Sequence, residues 1–383
     1  MIFITHFFEP EIGAASQRIT SLVKRALKDN NKIFVITTIP QYKIEDKINF
    51  FEEYDNLTII RFPVFQSNSK NIFLRLISMI NFSFYLFLLI PVFLFLNHRR
   101  VFIQGHPLVT SFFSIFIFKK LFRKKIILNV SDLWPKSGLD LGVFKKGLFY
   151  SLLKKIEKFN YNNSDLIMAQ SNESKNYISE IVPNKNIVVF YNVPKSDFKT
   201  KVDTSNKRLT IIYAGLLGHA QNILQSCIKI NFKNLDAVLH IYGEGTQKKE
   251  ITDYIKKNNI NNIIVHDFIP RNQLNKKLIS ADIGLVQLKH SIHGALPSKL
   301  FHYLNYSLPI IYIGSGEAAK IVNENKFGWS FKNDDYNGIN SLIEKIITNR
   351  KILNLAIDSI NNNFKAKYDY ETQYASFKNN SNF

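Results

Sequence analysis

Short apolar runs separated by amphipathic stretches recur along the whole chain. In the first half the runs "MIFITHF" (1–7), "KIFVITTI" (32–39), "LTIIRFP" (57–63), "VFIQG" (101–105), "KIILNVS" (125–131), "DLIMAQS" (165–171) and "IVVFYN" (187–192) read as strands. Segments of helical periodicity fall between most of them, for example "SQRITSLVKRALKDN" (16–30). The polar stretch 192–208 lacks apolar periodicity and reads as a linker. After it the pattern restarts with "LTIIYAG" (209–215), "AVLHIYGEG" (237–245), "NIIVHDFIP" (262–270), "ADIGLVQL" (281–288) and "LPIIYIG" (308–314). Such alternation predicts βαβ units and mainly parallel sheets. The expected architecture is α/β, two Rossmann-like halves of similar size, with domains over 1–195 and 196–360. Residues 361–383 begin helix-like and end in a frayed tail. Ligands of such sheets bind beyond the carboxyl ends of the strands, so two facing halves would place an active site in the cleft between them.

The run 72–96, "IFLRLISMINFSFYLFLLIPVFLFL", complicates this picture. It is long enough to be weighed as a spanning helix, but Arg75, Asn81 and Pro91 interrupt it. "SFFSIFIFKKLFRKK" (111–125) follows, rich in phenylalanine and then strongly basic. Aromatic residues beside lysines and arginines suit the headgroup region of an anionic leaflet. Three readings stand: attachment to one leaflet, a pair of buried helices, or a true span.

Composition changes the picture in three places. Over 383 residues, 46% hydrophobic content excludes a disordered chain. A single cysteine, Cys227, excludes a disulfide framework and a cysteine zinc site and fits a reducing compartment. The formal net charge of +20 demands an anionic partner, either nucleic acid or an anionic membrane surface. The opening "MIFITHFFEPEIG" has neither a basic n-region nor a small-residue cleavage site, so it reads as a first strand and not as a leader.

Candidate chemistry gathers at strand ends. "LPSKLFHYL" (296–304) puts Ser298 and Lys299 at the start of a helix between two apolar strands. A helix N-terminus already attracts anions, so a lysine there is intelligible if a phosphate is its partner. "YAGLLGHAQN" leaves a strand with Gly215 and Gly218, "YGEG" with Gly243 and Glu244, and "GSGEAAKI" with Gly316 and Glu317. One glycine turn is ordinary architecture, but several anion-friendly strand ends in one half suggest a nucleotide site. In the first half "PEIGAASQRI" is a small-residue turn followed by Arg18, and "QGHPL" ends a strand with His106. "NVSDLWPKSGLDLG" ends another with Asp132, with Trp134 and Pro135 fixing the loop. Asp132 could be catalytic, bind a sugar hydroxyl or merely cap a helix. Absences narrow the reaction: there is no phosphate-loop signature, no HExxH, no paired-cysteine metal motif and no D-x-D. No metal or other cofactor is therefore expected.

Taken in order, "FFEPEIGAASQRI", "SDLWPKSGLDLG", "YAGLLGHAQN", "LPSKLFHYL" and "GSGEAAKIV" resemble the retaining GT-B glycosyltransferases of family 4 over nearly the whole chain. The likeness is greatest to the branch that assembles bacterial O-antigen and capsule repeat units and includes fucosamine transferases. The resemblance implies acceptor binding mainly by the first domain and nucleotide-sugar binding mainly by the second. It also implies a C-terminal helix packing back on the first domain. It would place Gly13 by the donor phosphates, Asp132 near the reacting sugar and Lys299 on the diphosphate. Beside these, Arg18 and Trp134 are expected on the acceptor side and His106 as a second catalytic residue. Metal-independent transfer with retention is implied, the leaving phosphate helping to deprotonate the acceptor. Two departures matter. The two glutamates that the family spaces seven residues apart correspond here to Gly294 and His302, and an imidazole is a poorer bidentate ribose ligand than a carboxylate. "GLLGHAQ" also lacks the Arg and Lys that many members place on the diphosphate.

The leading expectation is transfer of a sugar from a UDP-sugar to a lipid-diphosphate-linked saccharide, by a peripheral protein on the cytoplasmic face of the inner membrane. Against it stand a non-catalytic nucleotide- or sugar-binding subunit of a polysaccharide assembly complex, and a nucleoside-diphosphate-sugar 2-epimerase. Nucleic-acid binding lacks a recognition motif and is not expected.

Overall fold

A computed structural model describes residues 1–11, 13–40, 48–65, 72–96, 98–195, 198–200, 208–289 and 292–381. For residues 72–76, 78 and 79 it describes the backbone alone. Part of the polar linker (201–207) and the last two residues of the tail lie outside the described residues. The chain divides into two units. The first comprises Met1–Asn192, His293–Ala295 and Gln373–Phe383; the second comprises Val193–Ile292 and Leu296–Thr372.

The first unit carries β1 (Ile2–Ile4), β2 (Ile33–Thr38), β3 (Phe51–Tyr54), β4 (Leu57–Phe62), β5 (Arg100–Gln104), β6 (Lys125–Val130), β7 (Leu166–Ala169) and β8 (Ile187–Val189). Their order in the sheet is β3-β4-β2-β1-β5-β6-β7-β8. β1 lies between β2 and β5, with Ile2 opposite both Phe34 and Val101. The pairing is parallel except between β3 and β4. β1, β2, β5, β6 and β7 are buried almost throughout, as expected of strands covered by helices on both faces.

The second unit carries β9 (Leu209–Ala214), β10 (Ala237–Tyr242), β11 (Ile263–His266), β12 (Ile283–Gln287), β13 (Ile310–Ile313) and β14 (Gly328–Phe331). Their order is β11-β10-β9-β12-β13-β14, all parallel. Each sheet thus runs outward from one central strand, then returns to that strand's other side. The reversal falls between β1 and β5 in the first unit and between β9 and β12 in the second. Such a reversal opens a crevice at the carboxyl ends of the two strands, where α/β sheets bind their ligands.

Several expectations change. β1 stops at Ile4; the Thr5 N–H still donates to the Ile36 carbonyl of β2, and His6 and Phe7 lie beyond the strand instead of extending it. β3 and β14 escape the apolar pattern because they are short outer strands, β3 mostly exposed and β14 half-buried. The change of unit expected at 361 falls between 372 and 373. The helix Lys351–Tyr368 stays with the second unit because Phe364 and Tyr368 pack on Phe327, and Tyr368 also packs on Phe301. Beyond that point Phe377 packs on Phe102 and Phe190 of the first unit. There Lys378 Nζ meets Asp29 Oδ2 at 2.8 Å.

The apolar run 72–96 forms two helices, Ile72–Leu88 and Ile90–Phe95, with Pro91 at the start of the second. Among the described residues no helix is long and apolar enough to cross a membrane. Nor is the run simply buried. Phe82, Leu86 and Phe93 enter the core, while Ile77, Ile80, Phe84, Leu88, Leu94 and Phe95 are exposed, Phe95 to 87%.

Candidate functional site

In the second unit the reversal between β9 and β12 brings Gly215, at the end of β9, against Lys299, in the first turn of the helix Ser298–Leu304 that follows β12. A Cβ built on Gly215 would lie 2.2 Å from Lys299 Cε, and Gly215 has φ +144°, so glycine alone fits there. The same helix is held to β9 by Tyr303, whose hydroxyl accepts the Ala214 N–H at 2.7 Å. Lys299 Nζ stands 5.1 Å from the centre of the Tyr213 ring. No carboxylate among the described residues pairs with this ammonium, and burial pushes its pKa down to about 8. A partly buried cation without an anion is unstable as it stands and is relieved by an anionic ligand.

The neighbouring turn is zipped onto this one. The Gly215 N–H donates to the Tyr242 carbonyl and the Leu217 N–H to the Glu244 carbonyl, each at 2.8 Å. A Cβ on Gly243 would lie 1.9 Å from the Gly215 carbonyl oxygen, so backbone packing already accounts for that glycine. Gly218 lies in the same loop as Gln221, whose Oε1 is buried without a hydrogen-bond partner among the described residues. The exposed Glu244 carboxylate is tied to Lys248, which also reaches Asp267. Gly316 and the buried Glu317 open the helix after β13, two strands from β9. His302 lies one turn beyond Lys299. Its Nε2 is 3.3 Å from Asn275 Oδ1, and burial together with Arg271 holds its pKa down at about 4. His302 is therefore neutral at pH 7 and able to make a neutral hydrogen bond. Gly294 belongs to the first unit, where its N–H donates to Glu173 Oε2 and its carbonyl accepts from Ser171 and Ser174.

The first unit gathers its chemistry at the other reversal. His106 follows β5 and Asp132 follows β6. Burial lowers the His106 pKa, while the Asp132 charge acts in the opposite sense. The His106 Nδ1 is covered and has no hydrogen-bond partner among the described residues. Trp134 stacks beside His106 with ring centres 5.6 Å apart. Sequence reasoning missed His6. It follows β1 directly across the reversal, is buried, and places Nε2 3.2 Å from Thr110 Oγ1. Burial first and then the field of His106 push its pKa down to about 3. Its only signal in the sequence is a polar residue at the end of an apolar run, and its meaning depends on β1 lying next to β5.

Gly13 begins the helix Ala14–Leu27, and a Cβ there would meet open space, so packing does not demand glycine. Arg18, expected on the acceptor side, is buried in the first unit with its guanidinium 5.3 Å over the Phe190 ring.

The Lys299 geometry sets a pH dependence for anion binding. The ammonium is charged below about 8 and loses its proton above it, so affinity is retained at low pH and falls as pH rises through that value. Between pH 7 and pH 9 the charged fraction drops ~10-fold, and the dissociation constant for a nucleoside diphosphate should rise by about that factor. Calorimetric titration of UDP at the two pH values checks this.

Comparison with known proteins bears on the fold. Residues 194–365 match the family model of the glycosyl transferases group 1. No curated protein matches the chain. Among solved structures, a sucrose-phosphate synthase from Thermosynechococcus elongatus is similar, with a TM-score of 0.74 and 11% identity. That match covers 99% of this chain and 97% of the synthase. WaaG, a glycosyltransferase involved in lipopolysaccharide biosynthesis, matches with a TM-score of 0.69 and 11% identity over 98% of this chain and 97% of WaaG. An E. coli trehalose-6-phosphate enzyme bound with UDP-2-fluoro glucose gives 0.69 and 10% over 99% of this chain and 98% of its own. At these identities the likeness establishes the fold, two Rossmann-like α/β units of the GT-B type.

Proposed function

We propose that this chain, a glycosyltransferase of the GT-B fold whose second unit matches the glycosyl transferases group 1, moves a sugar from a UDP-sugar to a lipid-diphosphate-linked saccharide in O-antigen or capsule assembly. The observation that carries the donor half is the Lys299 ammonium, partly buried at the β9/β12 reversal with no carboxylate paired to it among the described residues. A diphosphate supplies the missing charge. Lys299 takes the role that a divalent cation has in metal-dependent transferases.

The sugar's anomeric carbon leaves the β-phosphate oxygen and bonds to the acceptor hydroxyl on the same face. The acceptor's proton passes to the departing phosphate. In the first unit Asp132 is suited to oppose positive charge on a reacting sugar, and His106 to hydrogen-bond a hydroxyl. Retention, freedom from metal and the O-antigen branch rest on the family resemblance. A structural neighbour bound with UDP-2-fluoro glucose supports the donor class, and one involved in lipopolysaccharide biosynthesis supports a role in polysaccharide assembly. Incubating the purified chain with UDP-sugars and a prenyl-diphosphate saccharide, with EDTA present, tests the reading. The expected product keeps the donor's anomeric configuration by NMR; absence of turnover with every donor would favour the non-catalytic binding subunit. That second reading has one observation behind it: Gly294 and His302 hold no carboxylate.

The same proposal places the protein peripherally on the cytoplasmic face of the inner membrane. The exposed face of Ile72–Leu88 and Ile90–Phe95 would lie in the headgroup region, with Lys120, Arg123 and Lys125 facing anionic lipid. Lys119 contributes less, because its ammonium is held by Asp165 at 2.7 Å. Replacing Phe84, Leu88, Leu94 and Phe95 with Ser should cut sedimentation with anionic vesicles at least ~10-fold and leave UDP binding intact. Unchanged sedimentation would remove the membrane half of the proposal.

A further inference from the structure

A second exposed apolar segment lies outside the run 72–125. Between Asp140 and the body of the helix Leu148–Asn162, the residues Leu141, Val143, Leu148, Phe149 and Leu152 are all exposed, Leu148 to 93%. Lys145 and Lys146 stand exposed among them. Leucine, valine and phenylalanine turned to water beside lysines, with no acid from 141 to 152, suit an apolar layer capped by negative charge.

Two observations tie this segment to the rest of the first unit. Inward, a ladder of rings runs from the strand-end site: His106 to Trp134 at 5.6 Å, Trp134 to Phe144 at 5.8 Å, and Phe144 to Phe149 at 6.0 Å. Sideways, the helix Leu148–Asn162 packs beside Leu108–Ile115, which packs beside Ile72–Leu88. Ring contacts Phe87–Phe113, Phe113–Phe112 and Phe112–Phe159 bridge the three helices. The two exposed apolar patches therefore belong to one helical layer joined by aromatic side chains.

We infer that Leu141–Leu152 is a second membrane-contact surface, which inserts into the headgroup region of an anionic bilayer beside the His106–Trp134 site. It rests on the membrane half of the proposed function and adds a contact that attachment through Ile72–Phe95 does not require. Its consequence is orientation. With two contacts on one layer the first unit cannot pivot, and a lipid-linked acceptor reaches His106 and Asp132 from the bilayer without leaving it.

The test uses the full chain with Leu148→Cys carrying an environment-sensitive NBD label. The native thiol of Cys227 is buried, so labelling falls on residue 148. Vesicles of phosphatidylcholine containing about 30% phosphatidylglycerol should raise the NBD emission ~3-fold or more and shift it to the blue. Adding Lys145→Ser and Lys146→Ser should weaken that response, while UDP still raises the melting temperature, showing that the chain is folded. Vesicle sedimentation with unchanged NBD emission would overturn the second contact and leave attachment through Ile72–Phe95 standing. Failure to sediment at all would overturn both membrane statements, and the UDP response would still report on the donor site separately. A self-associated chain that Leu148→Ser returns to monomer, with no response to vesicles, would reassign the patch to a second copy and overturn the inference.

Discussion

Replacing Lys299 with Ala should raise the dissociation constant for UDP and lower kcat/KM for the nucleotide sugar, each by ~10- to 100-fold. A charge-assisted hydrogen bond to phosphate is worth ~1.5–3 kcal/mol, and tenfold corresponds to about 1.4 kcal/mol. The free protein should not suffer. It holds this ammonium against burial with no carboxylate partner among the described residues, so Ala removes a destabilising group, and its melting temperature should stay level or rise. Loss of affinity without loss of stability distinguishes a ligand-binding lysine from a structural one.

The second large effect is expected at the other reversal. Asp132→Asn should lower kcat by ~10²–10⁴-fold, the range associated with loss of a group that assists charge or proton movement in the transition state, with UDP affinity unchanged. His106→Ala should follow with a smaller loss. The two should be non-additive, since the Asp132 charge already acts on His106. A near-normal turnover in Asp132→Asn would mean that the carboxylate, exposed and 3.5 Å from the Ser131 hydroxyl, only steadies its loop.

The parallel sheets were legible because buried parallel strands read as unbroken apolar runs; the match fails only at β3 and β14, the outer strands that helices do not fully cover. Lys299 was legible as a chemical oddity, a cation where the helix dipole favours an anion. That Gly215 is its partner was not legible, because it depends on β9 and β12 being neighbours although 68 residues separate the end of one from the start of the other. His6 was lost for the same reason: nothing local distinguishes it from a core histidine until β1 is seen beside β5. The burial of Arg18 was not legible either, because it depends on the helix turning the side chain inward onto Phe190. The amphipathic split of 72–96 was obscured by its phenylalanines and leucines, which look alike in sequence whether Phe82 is in the core or Phe84 is in water.

The central claim is that Lys299 completes a diphosphate site that needs no metal. It is tested most directly by titrating the unmodified chain with UDP, GDP, ADP and CMP at pH 7 in the presence of EDTA. Ligand at 100 times its dissociation constant adds ~2.7 kcal/mol of stability, a rise in melting temperature that is easily read. Stabilisation by UDP in preference to the others, undiminished by EDTA, is the predicted result. No response to any of the four, or a response that EDTA abolishes, would contradict it.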